Sequence, residues 1–250
     1  MLTQELVAYL DTYLAVREVP DWKEAYNGLQ VEGRREVRRV AVAVDACLAT
    51  IERAATERAD MMIVHHGLFW GPKAPVTGPY YRRLAALIKN DIALYSCHTP
   101  LDAHPEVGNN HVLARLLGLE LAGPFGEHEG VPIGVYAETE LAREAFVARV
   151  REALGVSPLV IATGPETVRR VGIVTGGAGT WIERAAARGL DTFLTGEGPH
   201  YTYFEAEERG LNVLYAGHYA TETVGVRALG QHLTERFGLE TFFLDHPTGL

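Results

Sequence analysis

Histidines followed at short range by carboxylates stand out in this sequence. His65 and His66 are adjacent and follow the apolar run Met61-Met62-Ile63-Val64. His98 follows Leu94-Tyr95-Ser96-Cys97 and precedes Asp102, with Thr99-Pro100-Leu101 between them. His218 follows Leu214-Tyr215 and precedes Glu222 at the same spacing. Imidazole and carboxylate are the ligand types that hold Zn, Mn or Fe. A carboxylate can also bridge two ions, a role open to Asp102.

Each of these residues also has an ordinary reading. Neighbouring strand residues point to opposite faces. His65 and His66 therefore share a site only if the chain turns at Gly67, or if each reaches a different ion; otherwise they are a surface pair. Asp102 could be a helix cap or turn former. Pro100 disfavours helix at Thr99, so His98 and Asp102 are not expected on one helical face. His218 and Glu222 share a face if their helix begins early. The alternative is a helix-starting Glu222 that complements the dipole, with Thr221 as cap. Glu197, in Gly196-Glu197-Gly198, could be a general base, a partner that orients a histidine, or a plain surface acid.

These residues need a scaffold, and apolar strand-length runs alternate with helical patterns along the whole chain. Strands are predicted at 37–44, 61–64 and 92–95, then at 134–136, 159–162, 171–174, 192–194, 212–215 and 241–244. Helices are predicted near 3–14, 48–59, 80–89, 110–117, 141–154, 181–188, 201–209 and 222–237. Such alternation implies βαβ units and a mostly parallel sheet. Ligands of open parallel sheets collect at the carboxyl ends of strands, and His65, His66, His98, Glu197 and His218 all follow strand runs.

The letters also repeat. Arg38-Arg39-Val40 returns as Arg169-Arg170-Val171, and Ile51-Glu52-Arg53-Ala54-Ala55 returns as Ile182-Glu183-Arg184-Ala185-Ala186. At the same spacing Asp60 matches Asp191, and His65-His66 matches Gly196-Glu197. A second block, Leu94 to His98, resembles Leu214 to His218, which sets Asp102 opposite Glu222. Two copies suggest two similar α/β lobes, not a solenoid. The expected lobes are residues 1–125 and 126–250, joined through the Gly- and Pro-rich segment Gly123–Gly130. If the lobes face each other through their strand ends, the metal-ligating residues meet in the cleft between them.

Composition narrows the class. The chain has 250 residues, 47% hydrophobic and 22% charged, as in ordinary globular proteins. No run approaches a membrane span, and the first residues lack a signal-peptide pattern. Two cysteines are too few for a disulfide framework, so a reducing, cytoplasmic setting is expected. The net charge of −9 argues against nucleic acid or anionic membranes as partners. Gly176-Gly177-Ala178-Gly179 lacks the Lys-Ser/Thr of a phosphate-binding loop and the Gly-x-Gly-x-x-Gly spacing, and reads as a tight turn. A nucleophile elbow and Cys-x-x-Cys are both absent.

Taken in order, Tyr26-Asn27-Gly28-Leu29-Gln30-Val31, Val64-His65-His66-Gly67-Leu68-Phe69-Trp70, His98-Thr99-Pro100-Leu101-Asp102, Thr195-Gly196-Glu197 and Gly217-His218 through Glu222 resemble the NIF-three-like dinuclear metal-centre family, known also as GTP cyclohydrolase 1 type 2 homologues. The resemblance implies two α/β lobes, two divalent metal ions between them, and toroidal hexamers. It places the metal ligands at His65, His66, Asp102, His218 and Glu222, with His98 beside the ions. The implied activity is metal-dependent hydrolysis of a small molecule, with a nucleotide such as GTP as the implied substrate and purine ring opening with loss of formate as the reaction. His98 and Glu197 are the candidate catalytic proton carriers. Five or six side chains for two ions leave open coordination positions, which favours catalysis over the alternative, a non-catalytic regulatory or metal-carrier protein.

Overall fold

A computed structural model describes residues 1–71 and 74–250. In chain order the elements begin α1 (Thr3–Tyr13), β1 (Gly28–Val31), β2 (Arg39–Asp45), α2 (Leu48–Thr56), β3 (Met61–His66), α3 (Gly78–Lys89), β4 (Ala93–Ser96) and α4 (Thr99–Ala103). They continue with α5 (Asn109–Leu116), β5 (Glu120–His128), β6 (Val131–Ala142), α6 (Arg143–Leu154), β7 (Leu159–Ala162) and β8 (Thr167–Ile173). The last are α7 (Ile182–Ala187), β9 (Thr192–Thr195), α8 (Thr202–Arg209), β10 (Asn212–Tyr215), α9 (His218–Phe237) and β11 (Glu240–Phe243). No helix among the described residues is long and apolar enough to cross a membrane.

Two compact units result. One comprises Met1–Leu101 with Gly225–His246, the other Asp102–Val224 with Pro247–Leu250. The division thus falls at Leu101/Asp102 instead of the expected 125/126, for two reasons. β5 pairs with β6 and belongs to the second unit's sheet. β11 returns to the first unit and pairs in parallel with β2. The expected junction Gly123–Gly130 is strand and hairpin turn. Glu129 and Gly130 both take positive φ, 47° and 83°, as a two-residue turn between right-twisted strands requires.

The first unit's sheet has the order β1-β4-β3-β2-β11. All its pairings are parallel except β1 on β4. Val40–Val44 of β2 and Met61–His65 of β3 are continuously buried, the pattern of parallel strands covered on both faces. Ile51, Met62, Val64, Leu87, Leu94 and Leu244 fill its core.

The second sheet, β5-β6-β8-β9-β10-β7, is mixed. Only β8-β9 and β9-β10 are parallel; β5, β6 and β7 join antiparallel. Parallel pairing therefore dominates the first sheet but not the second, because the hairpin β5–β6 adds strands without crossover helices. One core forms around Phe146, Val171, Leu194 and Leu214, another around Phe125, Ile182, Phe193 and Val213.

The letter repeat has a hydrogen-bond counterpart in each unit. The Asp60 carboxylate accepts from the backbone N–H groups of Arg38 and Arg39 at 2.8 and 2.9 Å. The Asp191 carboxylate accepts from Arg169 and Arg170, both at 2.9 Å. The second block aligns one residue differently from the gapless sequence match. Cys97 N–H donates to Val64 O, and Ala216 N–H donates to Thr195 O, so Cys97 corresponds to Ala216. His98 then falls opposite Gly217, and His218 opposite Thr99. His98 precedes its helix, whereas His218 is the first residue of its own.

Candidate metal centre

In the first unit, β3 carries His65 and His66 at its carboxyl end, and the chain turns at Gly67. Three imidazoles gather there. Ring centroids are 4.7 Å apart for His65–His66, 4.9 Å for His65–His98 and 5.6 Å for His66–His98. One ligand nitrogen from each of His65, His66 and His98 lies within 4.8 Å of the others.

All three rings are fixed through Nδ1. His65 Nδ1 bonds the Cys97 carbonyl at 3.0 Å, His66 Nδ1 bonds Asp45 Oδ1 at 2.9 Å, and His98 Nδ1 bonds Asp21 Oδ1 at 2.8 Å. A carbonyl oxygen can only accept, so the His65 bond requires the proton on Nδ1. In a neutral imidazole that leaves the Nε2 lone pair for a ligand. Metal-binding histidines use this arrangement, donating their second N–H to a carbonyl or carboxylate.

Asp21 and Asp45 were not anticipated. Asp21 sits in the loop between α1 and β1, where no periodic pattern singles it out. Its side chain is 6% exposed. It accepts five bonds: Trp22 N at 2.7 Å, His98 Nδ1 at 2.8 Å, Asn27 Nδ2 at 2.7 Å, and Thr99 N and Oγ1 at 3.0 and 2.6 Å. Burial opposes its charge, but the bonds and charge of His98, with Asn27 and Thr99, outweigh this and hold the carboxyl well below the usual carboxylate range. Asp45 has a signal in hindsight. It ends β2, and the parallel register sets it opposite His66.

The Tyr26–Val31 motif fastens these parts together. Asn27 Oδ1 accepts the His98 backbone N–H at 2.7 Å. Gln30 Oε1 accepts from Leu68 N at 2.7 Å and Phe69 N at 3.3 Å. A Cβ on Gly67 would lie 2.3 Å from Gln30 Nε2, so any larger residue there would push the Gln30 amide off the histidine loop.

In the second unit α9 begins early, at His218, which places Glu222 one turn on and on the same face. His218 Nε2 lies 3.1 Å from Glu222 Oε1, and Nδ1 lies 2.7 Å from Glu197 Oε1. Glu197 thus hydrogen-bonds the His218 ring, the geometry of a partner that orients a histidine. Thr221 does not cap the helix. Its hydroxyl donates to Gly217 O at 2.9 Å and accepts from Gly176 N at 3.0 Å. The glycine run is the expected tight turn. Gly176 has φ +69°, and a Cβ there would lie 2.2 Å from Glu222 Oε1 and 3.3 Å from His218 Nε2.

The Glu222 hydrogen bond, aided by the Glu222 and Glu197 charges, raises the His218 pKa to about 9 despite partial burial. Two carboxylates around one imidazole favour positive charge at that spot. Asp102 is buried in α4, where its Oδ1 accepts from Asn109 Nδ2 at 2.8 Å and Thr175 Oγ1 at 3.5 Å. α4 starts at Thr99 despite Pro100, because proline is tolerated in a helix's first turn. The donor sets fit divalent metal: anchored imidazoles in one unit, and a His–Glu pair with a glycine-walled approach in the other.

The model of the Duf34/NIF3 (NGG1p interacting factor 3) family matches residues 1–249. The chain belongs to this family. As a DUF34/NIF3 protein it is 45% identical over 248 residues to a protein of Deinococcus radiodurans, covering 98% of this chain and 94% of that one. It is 46% identical over 253 residues to a protein of Pyrococcus abyssi, with both chains covered in full. Both relatives bear the name GTP cyclohydrolase 1 type 2 homolog. A solved structure of the protein ybgI, described as of unknown function, superposes with a TM-score of 0.94 at 40% identity, covering 100% of each chain. The DUF34/NIF3 fold and the His/Glu groups that could hold metal go together in this chain.

Proposed function

We propose that this chain is a metal-dependent hydrolase with a dinuclear centre. The observation that carries the reading is the shared anchoring of His65, His66 and His98 through Nδ1, which leaves Nε2 of His65 and His66 for metal and Nε2 of His98 for a proton. The proposed ligands are His65, His66, Asp102, His218 and Glu222, with Zn, Mn or Fe as the candidate ions. Such a pair supplies Lewis acidity and lowers the pKa of water. His98, held by Asp21, is the proposed proton carrier, acting at Nε2. Glu197 holds the His218 ring in its ligating orientation. A nucleotide substrate, with GTP ring opening as its specific form, is proposed from the relatives' names, and a homohexamer in the cytoplasm from the family resemblance.

The test is GTP turnover by protein with measured metal content, beside Glu222→Ala. Metal-dependent turnover lost in the variant supports the proposal. Equal rates with and without metal remove the cyclohydrolase form. Bound, exchangeable metal with no turnover of nucleotide, phosphate ester or amide favours the metal-carrier alternative.

A further inference from the structure

Beside the three histidines, the first unit has a groove of about 710 Å³ that the metal ligands do not use. Its walls include Tyr26, Phe69, Trp70, Val76, Tyr80 and Arg83. Its volume is that of a site for a small organic ligand.

The walls are aromatic and unusually open to solvent. Tyr26 is 56% exposed, Trp70 46% and Phe69 36%. Edge-to-face contacts link Tyr26 to Phe69 at 6.3 Å and Phe69 to Tyr80 at 6.4 Å. The Trp70 ring stands edge-on to His98 at 4.7 Å and to His66 at 6.1 Å. Trp70 is therefore the partition between groove and imidazoles. A flat ring in the groove would stack on aromatic faces that otherwise meet water.

Arg83 supplies the polar requirement. It stands on α3 with its guanidinium carbon 5.9 Å from the Tyr80 ring centroid. Its Nε is buried and has no hydrogen-bond partner among the described residues. A buried, unsatisfied donor on a cation is costly, and guanidinium pairs best with the oxygens of a carboxylate or phosphate.

We propose that this groove binds a planar aromatic ring bearing an anionic group, the ring against Trp70 and Phe69 and the anion on Arg83. As a substrate subsite the groove rests on the hydrolase reading, because Trp70 sets such a ring next to His98. Binding itself does not need metal.

The experiment is calorimetric titration of the full-length chain with phenyl phosphate, benzoate, inorganic phosphate and benzyl alcohol, before and after chelation. The first two are expected to bind at least ~10-fold more tightly than the last two, with and without chelator. Comparing the first two tells whether phosphate or carboxylate is preferred. Arg83→Gln should weaken the aromatic anions ~10-fold and leave benzyl alcohol unchanged. Trp70→Leu should weaken every aromatic probe, and Trp70→Phe, which keeps a ring and guards against misfolding, should restore them. Inorganic phosphate binding as tightly as phenyl phosphate, or indifference to Arg83→Gln, overturns the proposal. So does binding that vanishes on chelation, which would assign the anion to metal. If no probe binds, but both groove variants lower the mass of the assembly, the face is a contact between copies and the proposal falls. Groove binding intact in metal-loaded protein that turns over no nucleotide, phosphate ester or amide would instead fail the hydrolase reading alone.

Discussion

Replacing Asp21 by Asn keeps the shape of the loop and removes one charge and one acceptor. Oδ1 takes Trp22 N, His98 Nδ1 and Thr99 Oγ1; Oδ2 takes Asn27 Nδ2 and Thr99 N. An amide has a single oxygen, so its NH2 faces three groups that were donating in one orientation and two in the other. Turned towards His98, it drives the imidazole to the tautomer protonated on Nε2, which cannot ligate or accept a proton there. Turned the other way, it opposes two N–H donors in a buried site. Disrupting a buried charged pair costs about 3 kcal/mol or more, which at ~2–4 °C per kcal/mol for a chain of this length lowers Tm by roughly 6–12 °C. Activity should fall ~10–100-fold, and metal affinity with it only to the extent that the displaced His98 ring crowds His65 and His66. Thermal unfolding, turnover and 15N shifts of the His98 ring nitrogens test the three consequences separately. An unchanged Tm with unchanged turnover and an unaltered His98 tautomer would refute the reasoning.

The metal-free protein should lose stability in mildly alkaline solution. His218 has a pKa raised from 6.5 to about 9, so its contribution is complete below pH 6.5 and lost as pH rises to about 9. At 1.36 kcal/mol per pH unit the ceiling is roughly 3–4 kcal/mol, reduced by solvent screening at this partly exposed ring; urea unfolding of chelated protein should show the decline, and Glu222→Gln should flatten it. Gly176→Ala sets a Cβ 2.2 Å from Glu222 Oε1 at a φ of +69°, so a stability loss of ~1–3 kcal/mol and weaker metal binding are expected; wild-type values in both assays would show that the turn yields freely. Gln30→Ala should release the loop after His66, seen as faster amide exchange at Leu68 and Phe69, whose N–H groups it accepts. Unaltered exchange would mean that Gln30 does not hold the loop.

Local pattern carried much of the fold. The apolar runs of β2, β3, β9 and β10 are strands because residues such as Val42, Ile63, Leu194 and Leu214 are buried in the sheets. The spacing of His218 and Glu222 carried real geometry because α9 starts at the histidine. Non-local information was missing. β11 is an ordinary apolar run, and nothing in its letters says which sheet it joins. The Glu129-Gly130 turn lacks the Asn-Gly signal of a short hairpin, so β5 looked like a linker and only the middle of β6 read as strand. The partners behind the rings, Asp21 and Asp45, belong to other elements. Only the folded register brings Asp45 opposite His66, and only the loop after α1 brings Asp21 to His98. The match of His98 with His218 slipped by one residue because letters cannot show where each helix starts relative to its strand.

The most direct test of the proposed metal centre is elemental analysis of the purified protein beside His66→Ala and His218→Ala. The account predicts about two divalent ions per chain in the wild type, and loss of both in either variant with the fold retained. Metal content that stays the same when His218 is removed would contradict it.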